Sequence, residues 1–299
     1  MYALNEGVSV SNIELEIIPK KTDLGDNFVV RRSLPDRRKR MVGPFIFWDH
    51  MGPVTLVNER EMTVRAHPHI GLATITWLFS GEIMHRDSLG NEQAIKPGEV
   101  NWMTAGSGIV HSERAKSSND IEMELEGIQL WLALPKEFED VEASFYHCKQ
   151  EDVPILSQEG FKLRLIAGKT LGVESPVPVY SDLFYINGEG EKDRNFHFKL
   201  EEDHEGAIYI VEGKVQVEDK IFEKHSLVIF NRNSVIDFKA LTEVKFMCFG
   251  GKVFPEKRFI WWNFVSSDSQ KIEIAKKNWS EGKFPAVINE TEFIPLPKD

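Results

Sequence analysis

The run Ala73-Thr74-Ile75-Thr76-Trp77-Leu78-Phe79 alternates in character from one residue to the next, the two-residue period of a β-strand. A turn follows at Ser80-Gly81-Glu82, a second near Asp87-Ser88-Leu89-Gly90, and a corner at Pro97-Gly98-Glu99. That order predicts short antiparallel strands folding back on one another into a small barrel. Gly43 to His50 reads as a short apolar strand ending in two polar groups and a Met-Gly-Pro turn. Ile128 to Pro135 reads as a buried strand. Helical spacing is confined to the C-terminal end, where Ser267-Asp268 supplies an N-cap, Ile272, Ala275 and Trp279 recur three and four residues apart, and Gly282 is the stop.

The second half repeats the first in degraded form. Val211-Glu212-Gly213-Lys214-Val215 echoes Phe79-Ser80-Gly81-Glu82-Ile83, and the segment from Lys224 to Phe230 echoes the Pro97-Gly98 corner and its following strand. The expected fold is all-β, two tandem barrels with a short C-terminal helix. The expected domains are residues 1–135 and 161–299, joined by a polar linker over 136–160.

With 41% hydrophobic and 28% charged residues in 299, the composition is that of an ordinary soluble protein with one large or two ordinary domains. A net charge of −11 argues against nucleic acid as the main direct partner, because phosphate binding rests on a basic surface. The basic cluster of Arg31, Arg32, Arg37, Arg38, Lys39 and Arg40 reads as an anion patch or as a solvated loop pairing with carboxylates, and the acidic balance favours the second. Cys148 and Cys248 form no CxxC pattern, which argues against a disulfide framework and fits a reducing compartment. Met1 to Glu6 lacks the basic-then-apolar profile of a signal peptide, and no run of about eighteen apolar residues occurs. The expectation is a cytoplasmic protein away from membranes.

Candidate chemistry concentrates between Ala66 and Glu113. In His67-Pro68-His69 and His111-Ser112-Glu113 two donors stand at i and i+2, so each pair looks to one face of its strand. Antiparallel folding would bring the pairs together inside the barrel. Three imidazoles and one carboxylate would then converge on a metal ion. With no thiolate in the set, a closed structural zinc site is disfavoured, whereas open coordination positions suit iron(II), with manganese, nickel, cobalt, copper and zinc as alternatives. Phe47 or Trp48 would wall a pocket and Asp49 or His50 would support the ligands, with ordinary core packing an equal reading of each. His85, four residues past Gly81, reads as a rim residue, and Trp261-Trp262 as core.

These residues resemble a known family. His67-x-His69, Gly81, Pro97-Gly98 and His111 are similar to the two motifs of the cupin superfamily. The wording from Arg65 to His69 and from Trp102 to Glu113 narrows the resemblance to pirins, and Gly43-Pro44-Phe45, Asp49 to Pro53 and Ile260 to Val265 extend it over nearly the whole chain. Thr74 stands where cupins in general carry a carboxylate; pirins share that departure and take their carboxylate ligand from the position of Glu113. The resemblance implies a bicupin with a non-haem iron ligated by His67, His69, His111 and Glu113.

It also implies two functions. One is a quercetin 2,3-dioxygenase, which opens a flavonol ring with O2 and releases carbon monoxide, with Glu113 as the base for the flavonol proton. The other is an iron-dependent, redox-sensing partner of a transcription factor or metabolic enzyme. A monomer is expected in either case. Counting from the repeat anchors, Lys199, Glu201, Phe238 and Ala240 occupy the ligand positions of the second barrel. That barrel is expected to be metal-free, with His197, His204 and His225 as surface or loop residues.

Overall fold

The computed structural model describes residues 11–23, 28–56, 62–115 and 122–298. Met1 to Glu6, read above for targeting, lies outside the described residues. Strands dominate, and the single α-helix among the described residues, Ser269–Ser280, lies near the C-terminal end with Asp268 as its N-cap and Ile272 and Ala275 buried.

Among the described residues each half is built from two facing antiparallel sheets, and no one hydrogen-bonded ring closes around either. The first half pairs a seven-stranded sheet with a four-stranded one. The small sheet carries Thr63–His69, Ile109–Ala115, Ile83–Asp87 and Glu92–Ile95 in that lateral order. Met51, Leu56, Leu78 and Leu125 of the large sheet meet Ile83, Ile95 and Ala115 of the small one, so the space between the sheets is filled at one end by apolar side chains. The second half repeats the plan with sheets of eight and four strands around Phe161, Phe196, Phe198, Phe238 and Phe246.

The halves meet through the outer faces of their large sheets. Phe45, Trp48, Ile75, Trp77 and Trp102 of the first pack on Tyr185, Tyr209, Leu227 and Phe249 of the second, and Trp48 stacks on Phe249 with ring centres 4.2 Å apart. Strands also cross between halves: Ile13–Ile17 pairs with Leu227–Phe230 of the second half. The stretch 136–160 contains Ser144–Cys148, paired with Val100–Thr104, and Ile155–Gln158, paired with Phe161–Thr170.

At the second half's counterpart positions Lys199 and Glu201 are exposed, while Phe238 and Ala240 are buried in the aromatic core. His197 is exposed as expected. His204 corrects the surface reading: it is 4% exposed, because it opens a central strand beside Phe184. His225 is half-buried against Tyr209 and His50. The basic cluster follows the paired reading, with Arg32 on Asp49, Arg38 on Asp36 and Lys39 on Glu14 and Glu205. Among the described residues no helix is long and apolar enough to cross a membrane.

Candidate metal centre

Strand register explains how distant histidines meet. Ile109–Ala115 lies between Thr63–His69 and Ile83–Asp87, with His111 opposite both His67 and Asp87, and Glu113 opposite His85. Neighbours at one level on one face of a sheet touch. His67, His69, His85, Asp87, His111 and Glu113 therefore share the interior, and all are buried. The intervening residues face outward, where Ala66 and Val110 pack on Val287 and where Ser112 and Arg114 hold Glu290.

Ring nitrogens of His67, His69 and His111 lie within 4.8 Å of one another, and the carboxylate of Glu113 falls within the same span of His111 and His85. His67 donates from Nδ1 to the carbonyl of Arg65 at 2.8 Å, and His69 from Nδ1 to the carbonyl of Asn263 at 3.0 Å. A carbonyl only accepts, so both rings carry hydrogen on Nδ1 and turn the Nε2 lone pair inward. His69 Nε2 lies 3.0 Å from His111 Nε2. Buried lone pairs converging on one point are costly unless something positive lies between them, so the donor set fits a divalent cation.

The electrostatics suit ligation. Burial pushes the His67 imidazole down to about 4, and burial with repulsion from neighbouring imidazoles holds His69 and His111 well below the usual histidine range. All three are neutral at pH 7 and bind a cation without first losing a proton. Burial raises Glu113, partly opposed by His85 and Thr76, and so makes its carboxylate a stronger base. Thr76 donates to Gln129 Oε1 at 2.7 Å, with Glu113 Oε1 at 3.5 Å.

His85 is not at the rim. It is 4% exposed, stacks on Phe145, and places Nδ1 3.4 Å from His111 Nδ1. The Gly81 turn sends its strand back alongside Glu113, and this register overrides mere sequence distance from the other donors. The signal was in the chain: His85 and Asp87 are themselves an i,i+2 pair.

A cavity of about 410 Å3 opens onto the three imidazoles and Glu113. Strand alternation sorts the four residues left open above. Phe47 and Asp49 face the cavity, whereas Trp48 and His50 face the second half, His50 bonding Tyr209 at 2.9 Å and Glu126 at 3.2 Å. Phe47 is held between Trp131, stacked at 3.9 Å, and the guanidinium of Arg32, 4.4 Å away, and Arg32 grips Asp49 with two bonds of 2.7 and 2.8 Å. Trp261 and Trp262 both pack on the cluster around Phe264, in line with the core reading, and half-buried Trp262 also lines the cavity from the far end of the chain, because the tight turn after Phe259–Trp261 aims it there.

Comparison with known proteins gives the family and the fold. The family model "Pirin" matches residues 27–132, and "Pirin C-terminal cupin domain" matches residues 185–285. A pirin-like protein of Caulobacter vibrioides is 45% identical over 96% of this chain and 100% of its own length. A Pseudomonas aeruginosa protein with a provisional quercetin 2,3-dioxygenase name is 34% identical over 89% of this chain and 83% of its own. The crystal structure of a quercetin 2,3-dioxygenase from Acinetobacter baumannii superposes with a TM-score of 0.89 at 30% identity, covering 95% of both chains. A bacterial pirin from Escherichia coli, solved in complex with nickel(II), shares the fold at 18% identity and a TM-score of 0.64, over 80% of this chain and 99% of its own. With both of its cupin domains matched in order and a close relative aligned from end to end, this chain belongs to the pirin family.

Proposed function

We propose that this pirin is a non-haem iron protein with flavonol 2,3-dioxygenase activity at a site made by His67, His69, His111 and Glu113. The observation that carries the reading is the cavity. At about 410 Å3, with Phe47, Trp131 and Trp262 in its wall and the four donors at its floor, it has the size and apolar lining that a flat polyphenol needs. The names of the Pseudomonas and Acinetobacter relatives point the same way.

Iron(II) held there would acidify a coordinated hydroxyl and supply the redox chemistry with O2. The remaining roles belong to this chain. The three imidazoles hold one side of the site and leave the cavity side free. Glu113, made more basic by burial, accepts the substrate's hydroxyl proton. Phe47, pinned between Arg32 and Trp131, offers a rigid aromatic wall that orients the ring system.

The test is anaerobic loading of the full chain with iron(II), then quercetin and air, following flavonol absorbance. Steady loss of the flavonol band, dependent on iron, is expected. An iron-loaded protein that leaves quercetin intact would overturn this reading in favour of an iron-dependent regulatory protein.

A further inference from the structure

Asp87, His85, His111, His69 and Asn263 form one line of contacts. Asp87 Oδ2 lies 3.0 Å from His85 Nε2, His85 Nδ1 lies 3.4 Å from His111 Nδ1, His111 Nε2 lies 3.0 Å from His69 Nε2, and His69 Nδ1 lies 3.0 Å from the Asn263 carbonyl. Both ends of the line, a carboxylate and a carbonyl, only accept. Four contacts need four hydrogens, and three imidazoles with one hydrogen each, the state in which His111 can offer an ion one lone pair and still donate to His85, bring three. One contact must therefore be two lone pairs facing each other. Because each end fixes the ring beside it, the missing hydrogen falls on one side or the other of His111. A cation between His111 Nε2 and His69 Nε2 removes the conflict, and His111 then donates from Nδ1 to His85.

We propose that His85 and Asp87 are positioning residues for the metal: they hold His111 as the Nδ1–H tautomer, with its Nε2 lone pair aimed at the ion, and do not touch the ion themselves. The inference rests on the metal reading of the three imidazoles. The pair is built to stay in place. Asp87 Oδ1 accepts from the backbone N–H groups of Leu89 and Asn91 at 2.9 and 3.1 Å, which locks the carboxylate to its turn. His85 is stacked on Phe145 with ring centres 4.5 Å apart, which fixes the plane of the imidazole. A ligand ring oriented through its second nitrogen binds metal better than a free one, because neither tautomer nor rotation has to be chosen on binding.

Asp87→Asn isolates the effect. The backbone donors of Leu89 and Asn91 keep the amide oxygen at the Oδ1 position, so the amide NH2 faces His85 Nε2, and the Asn91 side chain gives up its 2.9 Å bond to Oδ2 while keeping its 3.1 Å bond to Oδ1. The line now carries four hydrogens for four contacts with no cation, running from Asn to His85, from His85 Nδ1 to His111, and from His111 Nε2 to His69. The same logic of a carboxylate-to-amide change that preserves shape and reverses a tautomer applies in hydrolase triads. His85→Phe is the companion variant, since it keeps the stack on Phe145, leaves the Asp87 turn alone and removes both nitrogens.

The experiment measures zinc(II) and cobalt(II) affinity of the full chain by chelator competition, together with imidazole nitrogen NMR. Wild type and both variants are expected to bind one ion. Both variants should bind it about 10- to 100-fold more weakly. His111 should carry hydrogen on Nδ1 in zinc-loaded wild type and on Nε2 in metal-free Asp87→Asn. Equal affinities in wild type and both variants would overturn the inference, as would a metal-loaded structure with a His85 nitrogen bound to the ion. A wild-type protein that takes up no divalent cation would instead overturn the metal reading beneath it.

Discussion

His69 donates its Nδ1 hydrogen to the carbonyl of Asn263, a residue 194 positions further along the chain, at 3.0 Å. The candidate metal centre is thus finished from outside its own sheets. Asn263 follows Trp262 in a turn between two short strands, and Ile294, also on the cavity wall, donates its backbone N–H to Ala66 of the His67 strand. One late turn therefore orients a histidine ring and presents an aromatic wall.

Trp262 adopts φ +50, a left-handed conformation that side chains resist by about 1–2 kcal/mol and glycine adopts freely. Trp262→Gly is expected to be more stable than Trp262→Ala by about 1 kcal/mol. Both should keep wild-type metal content, and both should bind flavonol more weakly. Urea denaturation, metal analysis and a quercetin titration check the three parts. A flavonol affinity unchanged in both variants counts against the wall role.

His67→Ala and His111→Ala each remove one imidazole from the converging set. Metal content close to zero is expected, with the far-ultraviolet spectrum of the fold retained. Full occupancy in both variants would show that the ion sits elsewhere.

Glu113→Gln preserves shape but removes charge and basicity. Part of the iron should remain on the imidazoles, and quercetin turnover per iron should fall by about two to four orders of magnitude. Equal rates per iron would exclude Glu113 as the base.

Phe238 sits in the second half at a position that the repeat aligns with a ligand, and it packs between Phe196 and Phe246 with both ring centres 5.0 Å away. Phe238→Ala should cost about 3–5 kcal/mol of stability through lost burial and a cavity. Metal content of the first half should not change. A drop in metal content with intact folding would show that the second half helps to hold the ion.

Burial depresses His67, His69, His111 and His50 in the metal-free protein. Unfolded imidazoles titrate near 6.5, so below that pH the unfolded chain binds protons that the folded chain refuses. The contribution of these groups is complete above about pH 6.5 and is lost as pH falls toward 4. Glu113 and Asp49, which burial raises, take up protons in the folded state and blunt the loss at its acid end. The urea midpoint of the metal-free protein should therefore be lower at pH 5.5 than at pH 7.5. A flat profile would mean that these rings are solvated.

The local devices of this molecule were legible in the sequence because they are periodic. His67 with His69 and His111 with Glu113 share a face by strand geometry alone, and glycine at 81 and 98, both with positive φ, marks the turns that stack their strands. The tandem repeat pointed to Phe238 and Ala240, which lie in the second half's core, and the helix announced itself through Asp268, Ile272 and Ala275. What tertiary structure alone decided is the environment around those devices. It turned Phe47 and Asp49 toward the cavity and Trp48 and His50 toward the other half, since alternation sorts a strand's residues into two faces without saying what either face meets. It drew His85 inward against His111, and it brought Trp262 and Asn263 across the chain to close the site. Such contacts join segments far apart in sequence, so their partners are chosen by strand register and packing, which no local pattern encodes.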